Sequence, residues 1–406
     1  MSFLKSLKSQ GKMQSFVIFD IGSGSVGAAL ATVSPDDNIP MVLYSTRAPI
    51  AYKKNIHSYI FMKSMFASFQ DAALEIVQKG IPNLAREGIE VRNINKILCI
   101  FSSPWYKSQT NLLKFKKEKY FDVSKKEIEK AVMDVNEEFQ GNSVNEEGDR
   151  KLKKSKLIEK NITQIRLNGY PTNNPYDKKA TNVELSLFLS KISSSVYENI
   201  REIIDKTFYT ENISFHSFAL VSFSVVRDIF HTKKNFLLMD IGGEVTDISL
   251  VRDEMLYSTA SFPLGRNFLT RQVLEALNTI AEEANSLIRT FLEGKTRGAE
   301  SAKIKTILDS AEKRWLTSFR KTLTDLSEGL SLPRTIFLTV DEDIGKWFEG
   351  VIKRDEFSGL TLAGEPFTVV MLSEKQLHKY CITVGQSRCD SFLAIETLFF
   401  HKIVNA

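Results

Sequence analysis

The chain has 406 residues, 43% of them hydrophobic and 25% charged, with a formal net charge of +5. Such a balance describes a globular chain of two or more domains with a sizeable core, and it excludes a disordered one. The charge is mild and comes from scattered lysines, including the polar stretch Lys151–Lys156, so nucleic acid is not expected as a partner.

Residues 1–14 are polar and lysine-containing, with Phe3, Leu4 and Leu7 able to line one face of a short helix. A flexible leader and a weak membrane-surface or partner peptide both fit. Phe16–Leu30 (FVIFDIGSGSVGAAL) pairs a short apolar run with a Gly-containing turn and a second apolar run, the pattern of two buried strands. Met41–Thr46 is expected to be a third strand. Phe61, Met65, Phe69, Ala72, Ala73 and Ile76 fall at helical spacing, predicting a helix over Ile56–Gly80 that Gly80 stops. Lys96–Phe101 is a compact buried strand, and Ser102–Trp105 turns the chain out of it.

The following hundred residues change character. Thr110–Lys119 looks like an edge strand loaded with lysine, which protects against unwanted pairing. Ser124, with Glu127 three residues on, predicts a capped helix. Gly141–Arg150 is a hydrophilic loop. Ile158–Leu167 and Val183–Leu189 read as strands separated by a dense run of turn formers, and Ser193–Phe208 as a helix. Ser214–Phe230 is a strand entering a helix expected on a second lobe. Phe236–Val251 (FLLMDIGGEVTDISLV) then repeats the first hairpin: apolar run, Asp-Ile-Gly, small residues, apolar run. Met255–Phe262 follows as a strand, and Pro263–Arg266 precedes a helix through about Leu277. Ile280–Leu330 is mostly helical, Arg334–Thr339 and Phe367–Leu372 are strands, and Phe392–Ile403 carries a helical apolar stripe.

Aspartates Asp20 and Asp240 thus begin matched hairpins. Glycines at such turns let backbone N–H groups approach an anion, and a carboxylate at a strand end can hold a metal or its water. On these residues the sequence resembles the actin-like ATPase superfamily, with a phosphate-1 motif at Asp20–Gly24 and a phosphate-2 motif at Asp240–Asp247. Two ordinary β-hairpins with tight turns are the plain alternative. The resemblance implies a two-lobed α/β fold (ribonuclease-H-like) that binds ATP and Mg²⁺ between the lobes. It implies catalytic and, through water, Mg²⁺-binding roles for Asp20 and Asp240. Nucleotide-contacting roles fall to Gly22, Ser23, Gly24 and Ser25 on one loop, and to Gly242, Gly243, Thr246, Asp247 and Gly265 on the other.

Two departures count against turnover. Glu244 stands where a small residue is usual, and a carboxylate pointed at a triphosphate repels it. Val340-Asp341-Glu342-Asp343 replaces a Gly-Gly turn against the adenosine, unless Gly345 serves after a shifted turn. At most a slow ATPase is expected.

The order strand, helix, two strands over 105–212 resembles the SHS2-type subdomain of the FtsA and PilM families, and LNGYPTNNPYDKKA looks most like FtsA. An unrelated α+β insertion is the plain alternative. Pro263, Gly265 and Thr270 match the P-x-G-x-x-x-x-T pattern of both families. The implied division is a leader at 1–14, lobe one at 15–104, the inserted subdomain at 105–212, lobe two at 213–374 and a closing segment of lobe one at 375–406. That closing segment lacks the polar linker of FtsA's membrane-targeting tail, so its helix is expected to close the core of lobe one, with a membrane anchor as the alternative.

The implied function is FtsA-like: a cell-division adaptor that assembles into protofilaments and links a tubulin-like filament's tail to the inner membrane face. A PilM-like platform for type IV pili, binding a cytoplasmic peptide of an inner-membrane partner, and a nucleotide-free actin-fold scaffold are the alternatives. A sugar or acetate kinase would need a catalytic base and substrate motifs that the sequence does not display. Cys99, Cys381 and Cys389 have no metal-ligand spacing, and the five histidines are isolated, so no zinc site is indicated. No apolar run approaches the ~20 residues that span a bilayer, and MSFLKSLKSQGK lacks a signal peptide's apolar region. A cytoplasmic protein, peripheral at the inner membrane face through its partners, is expected.

Overall fold

The structure, a computed structural model, describes residues 14–33, 39–51, 58–86, 89, 91, 94–141, 154–362, 364–384, 387 and 389–405. The expected leader and most of the hydrophilic loop at 141–150 lie outside the described residues.

Lobe one opens with β1 (Gln14–Ile21), β2 (Ser25–Val33) and β3 (Met41–Pro49), then helix α1 (Ser58–Glu75) and β4 (Ile94–Phe101). The inserted subdomain follows: β5 (Tyr106–Asp122), α2 (Lys125–Gly141), β6 (Ser155–Leu167), the two-residue β7 (Tyr170–Pro171) and β8 (Lys179–Ser193). Helix α3 (Ser194–Phe208), β9 (Ile213–Ser217) and α4 (Phe218–Ile229) lead out of it. Lobe two comprises β10 (Phe236–Ile241), β11 (Thr246–Arg252), β12 (Met255–Phe262), α5 (Arg266–Leu277), α6 (Ala281–Leu292), α7 (Gly298–Ser327), β13 (Thr335–Val340), α8 (Glu342–Ile352) and β14 (Thr368–Met371). The chain returns to lobe one through β15 (Ile382–Thr383) and α9 (Ser391–Asn405).

Three sheets result, with strand orders β15-β3-β2-β1-β4-β9, β12-β11-β10-β13-β14 and β5-β8-β6-β7. Strands β1 and β10 hold equivalent places, each antiparallel to the next strand of its hairpin and parallel to a later strand on its other side. Both are covered on two faces, which is why their sequences are continuous apolar runs rather than alternating ones. Two large core clusters form, and the first reaches into lobe two through Phe236, Leu238, Val251, Leu256 and Phe337. Trp315, stacked on Phe319 at 4.8 Å, sits at the centre of the second. A third, smaller core lies between α2 and the sheet of the inserted subdomain.

Two expectations are corrected. Strand β9 adds to the first lobe's sheet beside β4, in parallel, so lobe one extends beyond residue 212 and α4 leaves from it. Edge position in a sheet depends on which neighbour is available, and the apolar run carries no label for that. Gly80 does not end its helix: α1 passes through a π-turn at Ile76–Gly80 into a further helical segment, Ile81–Arg86. The wider turn, closed by Ile81 N–H to Ile76 O, admits Pro82, which would clash within a regular helix. Gly80 serves packing instead, since a Cβ there would meet the Tyr44 ring at 2.8 Å.

Helix α9 lays its apolar stripe on β1 and α4, with the Phe16 and Phe400 ring centroids 3.6 Å apart. Among the described residues no helix is long and apolar enough to cross a membrane.

Candidate functional site

The β1–β2 and β10–β11 turns face each other where the lobes meet. In each, the turn closes on itself: Gly22 N–H donates to Ser25 O at 3.1 Å, and Gly242 N–H to Val245 O at 3.0 Å. The structure therefore brings Gly22, Ser23, Gly24, Gly242 and Gly243 together as the paired motifs require. It brings Gly24 and Gly243 into direct backbone contact. A Cβ on Gly24 would stand 3.1 Å from Gly243 Cα, and one on Gly243 would overlap the Gly24 backbone and lie 2.9 Å from the Ser23 carbonyl carbon. Ser23 is buried, and its Oγ accepts the Glu244 N–H at 2.9 Å.

Behind the second loop, the first turn of α5 uses its unpaired N–H groups on loop carbonyls. Gly265 N–H donates to Glu244 O, Arg266 N–H to Gly242 O and Asn267 N–H to Gly243 O, at 3.1, 2.9 and 2.7 Å. These are the donors that a helix N-terminus otherwise offers to an anion. Gly265 has its place because any Cβ would strike the Gly243 carbonyl oxygen at 2.6 Å. Thr246 turns its hydroxyl to Leu264 O at 2.8 Å, away from the gap.

Of the carboxylates, Asp20 and Asp247 are paired, whereas Asp20 Oδ1 and Asp240 Oδ1 are buried with no hydrogen-bond partner among the described residues. Asp20, Gly27 and Arg47 lie side by side across β1, β2 and β3. Because Gly27 has no side chain, the Arg47 guanidinium crosses over it and reaches Asp20 Oδ2 at 2.8 Å. Arg47 also donates to Asp390 at 2.7 Å and to Ser25 Oγ at 2.9 Å, which uses the oxygen of that hydroxyl as an acceptor. Asp247 accepts from Ser103 Oγ at 2.7 Å and from Ser103 N–H at 3.3 Å, across the lobe boundary. Trp105 Nε1 donates to Gly22 O at 2.7 Å.

Burial pushes Asp20 up to about 6 despite Arg47, and Asp247 likewise to about 6 despite the Ser103 bonds. Asp240 is carried well above the carboxylate range by burial and then by the nearby charges of Asp247 and Asp20. While Asp240 keeps its proton it cannot accept one from an attacking water. The space enclosed beside Asp240 and Asp247, with Tyr106 and Thr339 in its wall, is about 10 Å³, roughly the room one water needs. Among the described residues no cluster of three or more His, Cys, Asp or Glu is placed to hold a metal ion.

The two sequence departures take a different form from the one expected. Glu244 does not point into the gap. Its carboxylate lies against α5, bound by Arg271 at 2.6 and 3.1 Å and by Asn267 Nδ2 at 2.8 Å. Its partners lie in the first and second turns of α5, so repulsion of a phosphate is not its effect. Gly345 is no shifted turn either. It lies buried within α8, where a Cβ would meet Met371 Cε at 2.6 Å. Asp341 and Asp343 pair with Arg266 at 2.6 and 2.7 Å on the wall of a cleft of about 910 Å³ that also meets Arg47, Glu374 and Asp390. Its acidic wall, with both of these arginines already paired, suits a triphosphate poorly.

Sequence reasoning missed Arg47, Ser103, Trp105, Asn267, Arg271 and Asp390. Gly27 was the available signal for Arg47, since glycine inside a strand marks a close approach. Glu396 was missed too: it is fully buried on α9, and neither carboxylate oxygen has a hydrogen-bond partner among the described residues.

No protein-family model matches the sequence, and no curated protein matches it. Solved structures do match in fold. A chain of a PilM–PilN type IV pilus biogenesis complex aligns with a TM-score of 0.59 at 12% identity, over 96% of this chain and 98% of that one. The ethanolamine utilization protein EutJ from Carboxydothermus hydrogenoformans aligns at 0.44 and 10% identity, over 98% and 95%. MreB 5 of Spiroplasma citri bound to AMPPNP aligns at 0.45 and 12%, over 97% and 98%. The chain has the actin-like ATPase fold. In this chain the residues at the nucleotide position do not fit Mg·ATP, because the loops that would cradle it are in contact.

Proposed function

We propose that the protein is an actin-fold adaptor of the PilM kind: a cytoplasmic platform at the inner membrane face that binds a short peptide of a membrane-embedded partner in type IV pilus assembly. The observation that carries this reading is the α+β subdomain inserted between β4 and β9, where the FtsA and PilM families have their SHS2 subdomain. It offers contact surface rather than chemistry. The β5 edge carries exposed lysines, and the β6–β7 hairpin holds Tyr170 out in solvent on an Asn168-Gly169 turn with positive φ at both residues. The full-length likeness in fold to PilM, drawn from a complex with PilN, supports the same reading. Mg·ATP has no part in it.

A second reading, an FtsA-like division adaptor that self-associates and docks the tail of a tubulin-like filament, is favoured by LNGYPTNNPYDKKA, the string that forms this exposed hairpin and the approach to β8. Deleting the gene distinguishes them. The expected outcome is loss of surface pili at normal cell length. Filamentous cells that keep their pili would assign the protein to division, and unchanged pili with unchanged cell length would refute both.

A further inference from the structure

Three ties among the described residues join the lobes at the floor of the cleft. Ser23 Oγ accepts the Glu244 N–H, Gly24 packs backbone to backbone on Gly243, and Ser103 binds Asp247 through both its N–H and its hydroxyl. Each uses atoms that a phosphate seat would leave open. The Glu244 N–H is a loop donor, and the two glycines supply the close approach that an anion would otherwise exploit. The supporting groups are held as firmly. Helix α5 fixes the second loop through three carbonyls and through Arg271 and Asn267 on Glu244, while Arg47 fixes Asp20 and Ser25 behind the first. The inserted subdomain adds ties on the outer side, Ser108 to Thr259 at 3.1 Å and Ser186 Oγ to Leu256 O at 3.0 Å, both on β12 of lobe two.

We infer that the two glycine loops of this chain are a latch between the lobes and not a nucleotide seat. Glycine at positions 24 and 243 is required so that the lobes can touch, and Ser23 is required as the acceptor that holds them together. Closure of the lobes is then a property of the chain alone, and the latch stands whichever assembly the protein serves.

Hydrogen exchange on the full-length protein, with Mg·ATP as the probe ligand, tests this. In the wild type, millimolar Mg·ATP is expected to give no calorimetric heat of binding and no added protection at residues 22–25 or 242–246. Ser23→Ala is expected to speed exchange of the Glu244 amide about five- to tenfold, the loss of one hydrogen bond of ordinary net strength. Gly243→Ala, whose methyl overlaps the Gly24 backbone, is expected to deprotect both loops and the Ser103 segment while circular dichroism stays native. If that variant does not fold, Ser23→Ala and the wild-type titration decide. Mg·ATP binding that protects the loops of the wild type would overturn the latch. So would a Glu244 amide that exchanges in Ser23→Ala at the wild-type rate.

Discussion

Replacing Arg271 by methionine tests how the second loop is held. In the structure Arg271 gives two hydrogen bonds to Glu244, and the side chains of the two residues are only 15% and 11% exposed. Methionine keeps most of the aliphatic stem and removes the charge. Taking one partner from a buried ion pair costs about 3–5 kcal/mol, because the other charge is left in a poor solvent. Here the Asn267 bond survives and the residual exposure lets some water in, so the expected loss is about 2–3 kcal/mol. Urea unfolding of Arg271→Met, Glu244→Gln and the double variant measures it, with an expected coupling of at least about 1 kcal/mol between the two sites. A single-variant loss below about 0.5 kcal/mol, with no coupling, would mean that Glu244 is not held by Arg271. The orientation of Glu244 on which the site's description rests would then be wrong.

The buried carboxyl of Glu396 makes stability depend on pH. Its ordinary value is 4.5, and burial, followed by the charge of Asp20, raises it well above that in the fold. Over the window above 4.5 the folded state therefore holds a proton that the unfolded chain has released, and stability falls as pH rises. Glu396→Gln is expected to stabilise the protein at about pH 8 and to give no gain at about pH 4, where both states are protonated; an equal gain at the two values would contradict the assignment. In lobe two, Trp315→Ala is expected to cost about 3–5 kcal/mol through the cavity it opens. Trp315→Phe should cost less than half as much, since the indole N–H has no partner among the described residues to lose. Urea midpoints for the two variants check this, and equal losses would show that the N–H is bonded after all.

Much of the architecture was legible in the chain because local signals are strong where strands are buried and turns are tight. Both Asp-Ile-Gly hairpins form with the expected strands, β12 spans Met255–Phe262 as expected, and the helix expected over Ser193–Phe208 forms as α3 at Ser194–Phe208. A separate four-stranded sheet with its own small core lies between β4 and β9, where the pattern of the chain changes. The assignment of β9 to lobe one and the continuation of α1 beyond Gly80 were not legible, since each answers to a distant neighbour, β4 in one case and Tyr44 in the other.

The site divides along the same line. Apolar runs, turn glycines and aspartates at strand ends are short-range patterns, and by themselves they determined two hairpins of the kind that face each other in an actin-like fold. Whether such loops stand apart or touch is set by how the two lobes come to rest on each other, and no local pattern carries that distance. The direction of Glu244 belongs to Arg271 and Asn267 on a later helix, and the ion pair of Asp20 belongs to Arg47, two strands away across Gly27. Tertiary structure alone decided that residues suited to hold phosphates hold each other, because the same close approach of glycine backbone serves an anion or a second loop equally well.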